Sequence, residues 1–386
     1  MRDRLQSKQP FLMMSTLELQ HTIDLLNIPT PLASIAEKII AGQRITTGEG
    51  LLLYETADLG FLGILANFVR EKFNGNHAFF NKNFHIEPTN ICIYGCKFCS
   101  YSRKINEEGS WEKSLDEITA IALSYCTKDV TEVHIVGGVH PHRDITYYAE
   151  MISRVRKILP NIHIKAFSAV ELNYMFRKSG ISIEKGFELL KKAGLDSIPG
   201  GGAEIFDETL RAQICPDKVN SHEWLTIHET AHRIGILSNA TMLYGHIETY
   251  IHRIDHLNRL RELQDKTHGF NCFIPLKYRK ANNPMSQIGE VTMIEDLKNY
   301  AVSRIFLDNF IHLKAYWPMI GKEMAQLALS FGIDDIDGTI DDTTRIYTMA
   351  GAEEQKPSLI TTELIDLIRK AKRIPVERDS WYNKII

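Results

Sequence analysis

A chain of 386 residues, 44% hydrophobic and 24% charged, has ordinary globular composition, which excludes a disordered or fibrous protein and leaves room for one large domain or two small ones. Its 45 basic and 48 acidic residues give a formal net charge of -3, so no global field favours nucleic acid, and a small molecule is the partner expected. Six cysteines are too few for a disulfide scaffold in a chain this long, and three of them fall within eight residues, which points to metal chemistry in a reducing compartment.

The N-terminus carries only a short apolar run, Phe11 to Met14, far below the length of a signal-peptide core or a membrane span. A cytoplasmic protein with no membrane partner is therefore expected. Apolar residues at helical spacing predict helices in LELQHTIDLLN, PLASIAEKIIAG and LGFLGILANFVREKF, with Thr16 and Pro31 near plausible starts. These form a helical extension over residues 1–80.

From Phe84 the pattern changes to short apolar runs that end in Gly, Pro or polar residues, each followed by an amphipathic helical stretch. The runs begin at Phe84, Glu132, Ile162, Asp196, Ile236, Phe270, His312 and Ile333. Eight alternating strand and helix units predict an α/β protein of the (β/α)8 TIM-barrel type over residues 81–340 rather than an open doubly wound sheet. A tail over residues 341–386, starting near Asp341 and containing the helical stretch ELIDLIRKAK, is expected to pack on the barrel.

Barrel active sites gather at the C-terminal ends of the strands. The unusual residues stand at those ends. The cysteine loop follows the first strand, Gly137 and Gly138 end the second, Ser168 to Glu171 the third, Gly200 to Glu204 the fourth, and Tyr244 to Glu248 the fifth.

The cysteine loop reads HIEPTNICIYGCKFCSYSR, a C-x-x-x-C-x-x-C spacing at Cys92, Cys96 and Cys99. Thiolate is the ligand that iron-sulfur clusters prefer, and three thiolates in a short loop can hold three irons of a [4Fe-4S] cluster, leaving the fourth open. A structural zinc site stays an alternative, although zinc wants four protein ligands or three and a water, and His85, the nearest further ligand, sits inside the first strand. Unliganded thiols and a cluster used only to carry or sense electrons also stay open. Cys126, Cys215 and Cys272 are scattered and are read as structural thiols.

At these residues the sequence resembles the radical S-adenosylmethionine (SAM) superfamily. The resemblance extends through CKFCSYSR, IPGGGAEIF, MLYGHIET, RLRELQDKTHGFNCFIPL and RIFLDNFIHLKAYWPMIG, covering most of residues 84–353. Within the superfamily the chain is most similar to the futalosine-pathway branch of menaquinone synthesis. NATMLYGHIETYIHR, KAYWPMIG and DDIDGTI with TMAGAE look like the aminofutalosine synthases in particular, and the dehypoxanthine futalosine cyclases are the nearest alternative.

The resemblance implies a [4Fe-4S] cluster on Cys92, Cys96 and Cys99, with SAM as co-substrate on the open iron. It further implies adenosyl transfer, with formation of a C–C bond, to 3-[(1-carboxyvinyl)oxy]benzoate and a low-potential flavodoxin or ferredoxin as electron donor. For SAM it points to Phe98 beside the adenine, the backbone of Gly137 and Gly138, and Ser168 and Glu171. The family's usual acidic third residue after the glycine pair is Val139 here, so only the backbone role carries over.

The substrate implied carries two carboxylates, for which Lys277, Arg279 and the amides of Gly200, Gly201 and Gly202 are candidate donors, with Tyr316 as a stacking surface. His246 and Glu204 are the candidates for a catalytic role. Plain alternatives stand beside several of these: a tight turn for each glycine run, a helix cap for Ser168 and Glu171, solvated charges for Lys277 and Arg279, and core packing for Tyr316. Asp337 is assigned no role, because a turn accounts for it.

Overall fold

The computed structural model describes residues 15–25, 28–339, 345–352 and 357–385, so the Phe11 to Met14 run and the start of the tail at Asp341 lie outside the described residues. Ten strands build one sheet: β1 (His77–Phe80), β2 (Asn83–Ile86), β3 (Glu132–Ile135), β4 (His163–Ala166), β5 (Ser197–Ile198), β6 (Leu237–Tyr244), β7 (Phe270–Lys277), β8 (His312–Ala315), β9 (Asp335–Ile336) and β10 (Ile374–Glu377). From β2 to β9 each strand pairs in parallel with the next, which requires a crossover between every pair. Helices supply those crossovers, so the eight alternating units expected from the sequence form the TIM-type barrel sheet.

The two ends of this curled sheet meet through the chain itself. β9 pairs with β1, and only Asn81 and Lys82 separate β1 from β2. Just beyond β9, the Thr339 N–H donates to Asn81 O at 3.3 Å. Gly338 makes the approach possible, since a Cβ there would stand 2.1 Å from Asn81 O.

The helical extension is seated by apolar side chains that join the core, Leu62 and Leu65 among them, and by specific polar contacts. Helix Leu59–Asn74 starts on the Asp58 side chain, which accepts from the Phe61 N–H, and ends at Gly75 with φ of 56°. Buried Arg70 on this helix donates to the carbonyls of Ile333, Gly75 and His77, which fixes β1 beside the chain entering β9. Helix Thr47–Thr56 was not foreseen, because Gly48 and Gly50 weaken its pattern. Gly50 is there for packing: a Cβ would lie 2.7 Å from the Phe306 ring.

β1 and β10 were not foreseen either. β10 is a partly exposed edge strand with Pro375 inside it, and such strands carry little alternation. Beyond β10 the chain crosses the N-terminal ends of the barrel strands. Arg378 Nε donates to Asp335 Oδ2 at 2.5 Å, Ser380 Oγ to Glu132 Oε2 at 2.7 Å, and the Tyr382 ring stacks on His312 with centroids 3.7 Å apart. The tail thus plugs the barrel at the end opposite the cysteine loop. No helix among the described residues is long and apolar enough to cross a membrane.

Candidate active site

The cysteine loop leaves β2 at the C-terminal end of the barrel and is held by backbone bonds from three sides. The Cys92 N–H donates to Arg103 O at 2.9 Å, the Ile93 N–H to Val139 O at 3.0 Å and the Lys97 N–H to Ile214 O at 2.8 Å. Lys104 Nζ gathers the carbonyls of Cys92, Ile93 and Tyr94 at 3.1, 2.7 and 3.2 Å, a role with no signal in the residue pattern.

Cys92, Cys96 and Cys99 are free, half-buried thiols that line one cavity. Burial pushes the Cys92 thiol up and the Cys96 thiol up to about 12, so the thiolates form only against a nearby positive charge such as bound metal. Among the described residues no three His, Cys, Asp or Glu side chains converge on a single ion position. Cluster ligation makes no such demand, because each thiolate binds a different iron. The donor set therefore fits a three-cysteine iron-sulfur cluster better than one zinc ion.

The cavity is about 300 Å³ and opens at the strands' C-terminal ends. Every candidate residue named from the sequence lines it except His246. That side chain is fully covered: its Nε2 meets Leu243 O at 3.1 Å and its Nδ1 lies 3.2 Å from Glu248 Oε2. Burial holds the imidazole pKa below its ordinary value. The structure gives His246 a place in the turn after β6, apart from the residues that line the cavity.

The glycine pair after β3 has a packing reason. A Cβ on Gly138 would stand 2.3 Å from Ile91 O, and one on Gly137 2.8 Å from Thr89 O, so the pair lets β3 dock against the cysteine loop. The Gly138 N–H completes the contact by donating to Thr89 O at 2.8 Å. The Gly137 N–H donates to Glu171 Oε1 at 3.2 Å.

Ser168 and Glu171 form the capping box of helix Ala169–Lys178, the alternative that the sequence left open for them. Both still line the cavity, and burial pushes the Glu171 carboxyl up to about 7 despite its three hydrogen bonds. Phe98 lies beneath the Lys218 ammonium, 5.2 Å from Nζ to the ring centre, and that ammonium is paired with the Glu204 carboxylate. Glu204 has a φ of 50°, left-handed backbone that a non-glycine residue adopts at a cost.

The triple glycine divides its work. Gly200 permits β6 to approach, since a Cβ would meet Asn239 O at 2.6 Å, and Gly202 has a φ of 90°. Gly201 has neither constraint and faces the cavity. Lys277 Nζ is spoken for by Asp296 at 2.7 Å and Val291 O at 2.9 Å. Arg279 pairs with Glu290 at 3.3 Å and donates to Gly351 O at 2.8 Å, yet its Nε is buried with no partner among the described residues. Tyr316 stands 5.0 Å from the Tyr347 ring, and both rings form part of the wall.

The floor of the cavity was missed. It carries His85, His134, Lys165, Lys314 and Asp337, with Lys165 paired to Glu132 at 2.5 Å and Lys314 to Asp337 at 2.7 Å. A signal existed: in NFHI, EVHI, HIKA and HLKA, the strands β2, β3, β4 and β8, the third residue is a polar one among apolar neighbours. Asp337, read as a turn residue, is instead a buried partner to Lys314.

The chain matches the family model of the radical SAM superfamily over residues 86–260 and that of the CofH/MqnC C-terminal region over residues 267–385. It is 42% identical to the aminodeoxyfutalosine synthase of Thermus thermophilus over 92% of this chain and 96% of that protein. The Streptomyces coelicolor aminodeoxyfutalosine synthase is 40% identical over 90% and 92%. Cyclic dehypoxanthine futalosine synthase of the same organism is 38% identical over 92% and 89%. In fold, methylornithine synthase superposes with a TM-score of 0.71 at 16% identity, covering 88% of this chain and 97% of that one.

Proposed function

The chain belongs to the radical SAM superfamily, in its CofH/MqnC branch, and from that membership we propose that it is an aminodeoxyfutalosine synthase. The reaction joins the 5'-deoxyadenosyl carbon to the vinyl carbon of 3-[(1-carboxyvinyl)oxy]benzoate. With rearrangement and loss of one carboxylate, it gives 6-amino-6-deoxyfutalosine and methionine. The observation that carries the reading is 42% identity running over 96% of a relative of that name, on a chain whose three loop cysteines open into one barrel cavity.

When bound on Cys92, Cys96 and Cys99, a [4Fe-4S] cluster supplies the electron that cleaves SAM. The residues around it have separate tasks. Phe98, Gly137, Gly138, Ser168 and Glu171 form the SAM side of the cavity, and Lys218 with Glu204 sets the charge beside Cys96. Gly201 offers open backbone opposite Ser168, and Arg279 Nε is the donor for one substrate carboxylate at the rim. Tyr316 and Tyr347 close the apolar wall, so a carbon radical is kept from water and set beside one alkene.

We place the enzyme in the cytoplasm, with a low-potential flavodoxin or ferredoxin as donor. Anaerobic reconstitution with reductant, SAM and the enol ether, followed by mass spectrometry, tests the reading. The adenosyl adduct at the mass of 6-amino-6-deoxyfutalosine supports it. Free 5'-deoxyadenosine without adduct overturns it in favour of the cyclase reaction, and absence of SAM cleavage in favour of an electron carrier.

A further inference from the structure

The floor of the cavity contains buried imidazole nitrogens that the described residues do not satisfy. His134, third residue of β3, is enclosed in the barrel and lines the cavity, and among the described residues its Nε2 has no hydrogen-bond partner. The lysines of the floor are engaged. In register beside it, Lys165 of β4 is bound to Glu132, and across the floor Lys314 is bound to Asp337 with Asp335 3.9 Å away. His85 of β2, the register partner on the other side, stands edge-on with ring centroids 5.0 Å apart.

A buried polar group without a partner is costly, and native interiors hold few of them. A lone imidazole facing a cavity is therefore a group kept for a ligand. Burial and the Lys165 charge hold its pKa well below the ordinary value, so it is a neutral ring with one N–H to donate and one nitrogen to accept. The Lys165 ammonium stands on one side of it, while Glu132, Asp335 and Asp337 keep the floor from accumulating positive charge.

We propose that His134 is a substrate-binding residue whose ring N–H receives the carboxylate on the benzene ring of the substrate, at the opposite end of the cavity from Arg279. The inference rests on the aminodeoxyfutalosine synthase reading for the identity of the substrate. It deepens that reading by giving the two carboxylates separate receptors at two depths: Arg279 just past the end of β7 at the rim, and His134 within β3 at the floor. The aromatic ring then spans the apolar wall between them, formed by Val136, Leu243, Ile274 and Leu276. Lys165 and Lys314 act on the same carboxylate through space, their nearest bonds being already made.

The test compares wild type with His134→Leu, which keeps bulk and removes both nitrogens, and His134→Gln, which restores a donor. Binding of 3-hydroxybenzoate and of the full enol ether is measured by calorimetry on the reconstituted protein, together with thermal unfolding and 5'-deoxyadenosine formation from SAM alone. The expected result is binding weaker by about tenfold to a hundredfold in His134→Leu and partly recovered in His134→Gln, as loss of a hydrogen bond to a charged group predicts. Unfolding of His134→Leu is expected at or above the wild-type temperature, because a dissatisfied group has been removed.

A His134→Leu protein that unfolds earlier and binds 3-hydroxybenzoate as wild type does overturns the inference and makes the residue structural. Equal weakening for 2-phenoxyacrylate, which lacks the ring carboxylate, also overturns it. Should wild type fail to convert the enol ether, the functional reading falls, and 3-hydroxybenzoate binding to wild type and variant still decides the role of His134.

Discussion

The ammonium of Lys218 lies 5.2 Å from the centre of the Phe98 ring and is paired with Glu204, which puts a buried ion pair beside the second cluster cysteine. A cation there favours the more negative, reduced state of whatever Cys96 ligates. Lys218→Met is expected to make the cluster harder to reduce, seen as a more negative midpoint in a redox titration followed by electron paramagnetic resonance. Left alone, Glu204 would be a buried unpaired carboxylate, costing about 3–5 kcal/mol. The double change Lys218→Met with Glu204→Gln should recover much of that stability and not the potential.

Cys96→Ala removes one of the three thiolates that line the cavity from the cysteine loop. Reconstituted protein is expected to lose the cluster absorbance and iron content and to form no 5'-deoxyadenosine from SAM. Full activity in this variant would contradict the whole scheme. The same readings for Cys126→Ala, an exposed thiol far along the chain, should match wild type.

Gly138→Ala tests whether the glycine pair works by docking the loop. The new Cβ would meet Ile91 O at 2.3 Å, and backbone cannot rotate away as a side chain can. Overpacking of this kind costs roughly 1–3 kcal/mol, and the strain falls on the segment that carries Cys92. Lower iron retention is expected alongside a lower unfolding temperature. Gly201→Ala, where only Ser168 Cβ is near at 3.6 Å, should leave stability unchanged and affect activity alone.

Three buried histidines predict an acid limit on stability. Burial depresses His85 and His232 to about 4 and His256 to about 3, against an ordinary value of 6.5. Between those values the unfolded chain binds protons that the folded chain refuses. Stability from this source is complete above pH 6.5 and is lost as pH falls toward 4, at about 1.4 kcal/mol per pH unit for each histidine. Urea denaturation from pH 7.5 to 4.5 should show this slope. His232→Gln should flatten it by the share of one proton, about 1.4 kcal/mol per pH unit, the other buried histidines keeping theirs.

The parts of the fold that could be read in advance are those with strong periodicity. β2 to β9 each end in Gly, Pro or polar residues and are followed by long amphipathic helices, so their number and order were visible. β1 is hidden because HAFF follows a helix with hardly a break, and β10 because an edge strand with a proline has no alternation to read. Cys92, Cys96 and Cys99 were legible from spacing alone. For His246 the position after β6 was legible, and only the fold reveals that its ring is covered, with Nε2 against Leu243 O. The floor escaped because two polar residues in a four-residue strand are noise by themselves. They become a signal only when β2, β3, β4 and β8 are aligned on their third positions.

The first strand of the chain lies between the last two, with β9 on one side and β10 on the other, and the plug formed by Arg378, Ser380 and Tyr382 comes later still. Synthesis therefore delivers β1 about 255 residues before β9 and about 294 before β10, and sequence separation of this kind slows folding. A nascent chain halted before Ile374 leaves the buried carboxylates of Glu132 and Asp335 without Ser380 and Arg378, and is expected to stay open to protease until the final segment is released. The segment from Arg378 to Tyr382 thus acts as a late seal, and the barrel is closed at this end only once that segment is in place.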